Sequence, residues 1–558
     1  MSPRAFFVSP RALPIYIRSG GHGVGRPWCV LAAGLDALAA VCDAVVVDAF
    51  WFISHGQGTS FHLQHVENAY LCGMTDTNLK QKAAGALMWG GLSQAAQQAL
   101  NLVFGIVLAR LLSPADYGMV GMLTIFALIA TSLQESGFMS ALTRKQEASS
   151  EDYNAVFWFN VLCSLTVYAV LFAAAPLIAA WFRQPVLVPL SRLLFLSFVF
   201  SAMGTAPRAW LFRHMRAKQT AVISLTSLVV SGLCGITLAW LGFAYWGIAL
   251  QNLVFCASVS LGGWYFSEWR PTWRINLRPL RGMIGFSSRL LATNIFTHVN
   301  NNLFSLFFGR LYGESTVGYY NQANKWTTMG HSTLTGMVWS VTQPLFARLS
   351  YDEPQRQQAI FRKMLRLTAF LSCPCMFGLA LVAPEFITLT ITEKWLSSAL
   401  LMQYLCIGGA FVPIASFCSN FLISQGKSQV YMWNTVSLCL VQLLLLVVLH
   451  PYGVRCMVVA YVAANTLWLL VWHVFVRRII GLRLSLFARD ILPFAALAGM
   501  AMGAAWGVAH LCPQHLLVTL LVKVAVAAVV YALSLRLLGA RIMQECWDFV
   551  REKIGLRR

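Results

Sequence analysis

Fourteen runs of about twenty apolar residues follow one another between residues 84 and 537, separated by short polar gaps. A helix rising 1.5 Å per residue needs about that length to cross the roughly 30 Å hydrocarbon core of a bilayer. In lipid, only helices and closed barrels satisfy every backbone group, and the dyad alternation of a membrane barrel is absent. The chain is therefore expected to be an all-α membrane protein with about 14 transmembrane helices. Charge agrees: 11% of the residues are Asp, Glu, Lys or Arg, against about 25% in a soluble domain.

The net charge of +21 raises nucleic acid as a partner, but the basic residues track the membrane instead. With the Met74 end placed inside, the inner gaps hold 27 Lys and Arg, and the outer gaps hold only Arg110, Arg183, Arg310, Lys394 and Arg455. That is the bias of inward-facing membrane loops. No nucleic-acid partner is expected, and both termini are expected on the cytoplasmic side. The fourteen Cys are scattered through apolar runs without zinc-ligand spacing, so they read as small buried apolar residues and no metal is expected.

Two of the outer gaps resemble each other. LARLLSPADYG (Leu108 to Gly118) and FGRLYGESTVG (Phe308 to Gly318) each have Arg-Leu, six residues, then Gly, 200 positions apart. Each sits between two apolar runs, as two copies of one unit would. Six spans separate them, and an even number keeps the copies in one orientation, so the repeat is parallel. Two six-helix lobes follow, residues 74–267 and 283–476, joined by a basic cytoplasmic linker at 268–282. Residues 477–558 supply two further helices and a basic tail. Gly499, Gly503 and Gly507 on the first of these form a small-residue stripe, expected to pack closely against another helix. Residues 1–73 differ from the rest: Asp36, Asp43 and Asp48 interrupt their apolar stretch. They read as an extension, with translation expected to begin at Met74.

Charged and amide side chains inside spans are the functional candidates, because each is costly against lipid. Arg289, Lys325, Asn294, Asn301 and Asn321 lie in the spans that flank the second turn copy, and Arg192 lies about one turn inside the outer surface. Together they suit a wet, cationic, amide-rich cavity: Arg and Lys pair with phosphate oxygens, and amides hydrogen-bond sugar hydroxyls. Snorkelling is the alternative for Arg289, Lys325 and Arg192. Glu135 is the ion-coupling candidate, set against simple pairing with Arg144 or Lys145. Glu385 reads as interfacial, and Lys523 and Arg536 occupy the last span. No nucleophile, paired-carboxylate or phosphate-loop motif is present, so no catalytic residue and no cofactor are assigned.

From Met74 to the twelfth span the chain resembles the Wzx-type polysaccharide flippases, within the multidrug/oligosaccharidyl-lipid/polysaccharide exporter superfamily. The cues are WGGLSQ with LARLLSPADYG, ESGFMSAL before Arg144, FGRLYGESTVGYYNQANKW, TQPLFARLS, and TEKWLSSALLMQYLCIGG. The resemblance implies two lobes around a central cavity in the bacterial inner membrane. It implies flipping of an undecaprenyl-diphosphate-linked oligosaccharide to the outer leaflet, a lipid-linked oligosaccharide partner, and neighbouring glycosyltransferases and a polymerase. Relatives often carry Asp where this chain reads Asn300-Asn301-Asn302; if that Asp serves ion coupling in them, the role is lost or moved here. An ion-coupled multidrug efflux pump would want carboxylates in the cavity. A membrane-embedded polysaccharide polymerase or ligase would want a large outer loop, and every outer gap is short.

Overall fold

The computed structural model describes residues 77–135, 149–273, 276, 298–300, 302–347, 354–510 and 515–537. The extension 1–73 and the basic tail lie outside the described residues. Within them the chain is helix joined by tight turns, with no strand. The helices are α1 (Thr77–Leu111), α2 (Pro114–Glu135), α3 (Ser150–Phe182), α4 (Leu187–Arg213), α5 (Ala217–Trp240) and α6 (Tyr245–Phe266). Then come α7 (described over 302–311), α8 (Glu314–Ala347) and α9 (Pro354–Ile391). They are followed by α10 (Leu396–Gly409), α11 (Val412–Ser424), α12 (Ser428–Leu449), α13 (Gly453–Ile480), α14 (Leu484–Ala509) and α15 (Leu516–Leu537).

Ten described segments are long and apolar enough to cross a membrane, and one of these, Gln429–Ile480, turns back on itself at His450–Tyr452 and so holds two helices. This is a multi-pass membrane protein. The apolar run at 397–423 is not one helix. It breaks between α10 and α11, where Gly408 and Gly409 weaken the helix and Pro413 permits a fresh start at its first turn. α8, by contrast, is too polar to stand among the apolar spans.

Packing places α3, α4, α5 and α6 against one another with α1 beside α5, while α9 holds α10, α14 and α15. Two interior prolines show how the bundles are tied. Pro207 in α4 removes the hydrogen bond to the Met203 carbonyl; the Trp264 indole N–H donates to that carbonyl at 2.9 Å. Pro374 in α9 frees the Phe370 carbonyl in the same way, and the Tyr531 hydroxyl of α15 donates to it at 3.2 Å. In each case a neighbouring helix satisfies a carbonyl that lipid could not.

The last two helices are also held by charge. Asp490 of α14, 3% exposed, accepts from Arg362 Nε at 2.6 Å and lies 3.4 Å from Arg366 Nε, both on α9. Lys523 of α15 donates to Glu385 Oε1 at 2.6 Å, and both residues are under 10% exposed. This corrects one expectation: Glu385 is a buried partner of Lys523 and not an interfacial acid. The glycine stripe is a second correction. α14 packs through Phe487, Ile491, Phe494, Leu497 and Ala501, and among the described residues nothing lies within 4 Å of a Cβ built at Gly499, Gly503 or Gly507.

Candidate functional site

The two copies of the repeated turn touch each other. α2 and α8 begin in these turns and cross near their first residues. A Cβ at Gly118 would lie 1.8 Å from the Glu314 carbonyl oxygen, and a Cβ at Gly318 would lie 1.8 Å from the Pro114 carbonyl oxygen. Residue 118 is to 318 as 114 is to 314, so the contact is reciprocal about a pseudo-twofold axis. Only glycine lets the two backbones come this close. One turn further, Gly121 accommodates the Asn321 amide nitrogen and Val317.

The paired arginines repeat the exchange. Arg110 donates through Nε to the Thr390 carbonyl at 2.6 Å and through Nη2 to the Leu389 carbonyl at 2.8 Å, at the end of α9. Arg310 donates through Nη1 to the Trp181 carbonyl at 2.7 Å, at the end of α3, and lies 5.3 Å over the Trp181 ring. Each guanidinium thus meets the last carbonyls of a helix in the other half of the chain. A cation there answers the negative end of the helix dipole and satisfies acceptors the helix leaves open. Three more bonds join the halves. Lys394 Nζ donates to the Arg110 carbonyl at 2.6 Å, Trp395 Nε1 to the Ala109 carbonyl at 2.8 Å, and Gln184 Nε2 to Glu314 Oε2 at 2.9 Å. Trp395 is fully buried and meets Tyr117 and Tyr319 edge-on. Asp116 has a local task. Its carboxylate accepts from Ser113 N and Ser113 Oγ, at 2.9 and 2.6 Å, and starts α2.

Below this closure lies the candidate cation. Lys325 is eleven residues into α8 from Glu314, roughly 16 Å along the helix at 1.5 Å per residue. Its ammonium reaches across to α1, where a Cβ at Gly105 would stand 2.5 Å from Nζ. The nearest ring is Trp326 at 5.6 Å, and among the described residues Lys325 has no carboxylate partner. Exposed polar residues continue along both helices away from the closure: Thr328 and Ser332 on α8, and Gln94 and Asn101, with half-buried Gln98, on α1. Their spacings of three and four residues put each set on one face.

Asn321 sits at the crossing itself, accepting from Ser305 Oγ at 2.7 Å while its amide nitrogen abuts Gly121. Arg192 stacks 4.1 Å from the Phe172 ring, on the α3–α4 seam of the first half. Arg289, Asn294 and Asn301 lie outside the described residues, as does the side chain of Glu135. Sequence reasoning missed the α1 stripe, although Gln94, Gln98 and Asn101 recur there at helical spacing. The crossing was legible as a repeat but not as a contact.

The bundle has a known helical membrane-protein fold. It superposes on the lipid II flippase MurJ in an inward closed conformation with a TM-score of 0.66 at 15% identity, covering 81% of this chain and 99% of that one. At that identity the likeness is one of fold. The polysaccharide biosynthesis protein family matches residues 107–400, more than half of the chain, and the protein belongs to it. Similar proteins include the lipopolysaccharide biosynthesis protein WzxC of Escherichia coli, 24% identical over 63% of this chain and 71% of that protein. The teichuronic acid biosynthesis protein TuaB of Bacillus subtilis is 24% identical over 81% of this chain and 94% of its own length.

Proposed function

We propose that this protein moves a lipid-linked oligosaccharide, a precursor of a surface polysaccharide, from the inner to the outer leaflet of the cytoplasmic membrane by alternating access. The observation that carries the reading is the reciprocal closure at Gly118 and Gly318, two like-oriented turns that seal one end of the seam between two halves. Residues 74–267 and 283–476 act as the lobes, residues 268–282 as their inner linker, and 477–558 as an addition carried by α9. The closed end is the outer one, because its turns are poor in Lys and Arg apart from Arg110, Arg310 and Lys394, which bind carbonyls. The termini are then cytoplasmic.

The Lys325 ammonium, at mid-depth and without a carboxylate partner among the described residues, is the group for the substrate diphosphate; a cation in a low-dielectric seam favours an anion strongly. Arg289 acts with it from the neighbouring span. Gln94, Gln98, Asn101, Thr328 and Ser332 offer hydrogen bonds to sugar hydroxyls, while the lipid tail stays in the bilayer. Kinship with WzxC and TuaB, whose names place them in lipopolysaccharide and teichuronic acid synthesis, supports a glycan substrate. The reaction breaks no covalent bond. Glycosyltransferases upstream and a polysaccharide polymerase downstream are the expected partners.

Charge reversal tests the reading. In the native host, Lys325→Glu is expected to abolish surface glycan at an unchanged protein level, and Lys325→Arg to keep it. Full export by Lys325→Glu would remove the proposed anion site.

A further inference from the structure

We propose that a cleft between the end of α13 and the start of α14 binds one anionic phospholipid, a site separate from the seam. The cleft, of about 480 Å³, is lined by Leu470, His473, Val474, Arg477, Arg478 and Leu484. The α13 residues recur at three- and four-residue intervals, so they form one face. Along that face the chemistry changes within two turns from apolar, at Leu470 and Val474, to cationic, at Arg477 and Arg478.

Leu470, Val474 and Leu484 are 48%, 45% and 45% exposed, which leaves an apolar wall that no part of the described chain covers. Both arginines are exposed, and among the described residues neither makes an ion pair. Arg478 rests 5.7 Å over the Phe475 ring. The floor is fixed by buried His473, whose Nε2–H donates to the Leu482 carbonyl at 3.0 Å and whose ring meets Phe487 at 5.0 Å. The turn at Gly481 therefore cannot collapse into the cleft.

An acyl chain along Leu470 and Val474 with a phosphate between the two guanidinium groups fits both halves of this face. Free phosphate would answer the arginines and leave the wall bare. A zwitterionic lipid would cover the wall but bring no net charge to the arginines. An anionic glycerophospholipid satisfies both.

The test is native mass spectrometry of the purified full-length protein titrated with phosphatidylglycerol or with phosphatidylcholine of the same chain length. A basic residue near an anionic lipid is worth about fivefold in affinity, so Arg477→Gln with Arg478→Gln should weaken the phosphatidylglycerol adduct about 30-fold. Arg477→Lys with Arg478→Lys should largely keep it. Lys218→Gln with Lys427→Gln removes equal charge at the same end of the bundle but outside the cleft, and should leave the adduct intact. Millimolar inorganic phosphate should not displace the lipid. Equal binding of the two lipids, equal loss in both Gln pairs, loss in the Lys pair, or displacement by phosphate would each overturn the site.

Discussion

Placing a methyl group at Gly118 should force the closed end open. In the closed form that Cβ would stand 1.8 Å from the Glu314 carbonyl oxygen, well inside the roughly 3.3 Å at which a carbon meets an oxygen even in a close contact. The obstacle is backbone, so no side-chain rotation relieves it, and α2 and α8 must separate by more than 1 Å. Overpacking of this kind costs about 1–3 kcal/mol. With a rigid obstacle on both sides the upper end applies, which lowers the closed population about 100-fold. Hydrogen exchange of the amides around Arg110–Gly118 and Arg310–Gly318 reads that population directly. Gly118→Ala should speed exchange in both segments, and Gly318→Ala should do the same through Pro114. Surface-glycan export should fall at least tenfold in either variant. Gly499→Ala is the control, since its Cβ enters open space. Native exchange and full export in Gly118→Ala would refute the argument that this crossing is a closure the cycle requires.

Other outcomes follow from the same geometry. Lys523→Met leaves Glu385 buried without its partner, which should cost about 3–5 kcal/mol and lower the melting temperature in detergent. The double variant Lys523→Met with Glu385→Leu should recover most of the loss. Arg110→Gln and Arg310→Gln each remove a cation from a helix end and should weaken the closure by about 1–2 kcal/mol apiece. Their effects on exchange at the two turns should be alike, because the contacts are reciprocal. Tyr531→Phe leaves the carbonyl freed by Pro374 unsatisfied and should cost about 1–3 kcal/mol, read as a lower melting temperature with export retained.

Much of this architecture is local information. Helix length against bilayer thickness, and basic residues against gaps, are properties of single segments, so the fold class is legible in the residues alone. The 200-residue repeat is legible for the same reason. Its role is not: Gly118 looks like an ordinary turn glycine until Glu314 is seen lying on it. The buried pairs are hidden by separation along the chain, 128 residues for Arg362 with Asp490 and 138 for Glu385 with Lys523. Depth is the signal that points to the second pair. Glu385 is six residues from the end of α9 at Ile391 and Lys523 seven from the start of α15 at Leu516, so both lie roughly 10 Å below the same end. The glycine stripe misleads because small residues permit close packing without requiring it. Asn321 is legible as a polar residue in a span, but only the crossing assigns it to the contact between α2 and α8.

Translocation of a glycolipid through the seam is tested most directly by the leaflet in which lipid-linked oligosaccharide resides after the protein is depleted from the native host. Accumulation of that intermediate on the inner leaflet, shielded from a membrane-impermeant oxidant and restored to the outer leaflet by wild type but not by Lys325→Glu, is the predicted result. An unchanged distribution between leaflets in the depleted cells would contradict it.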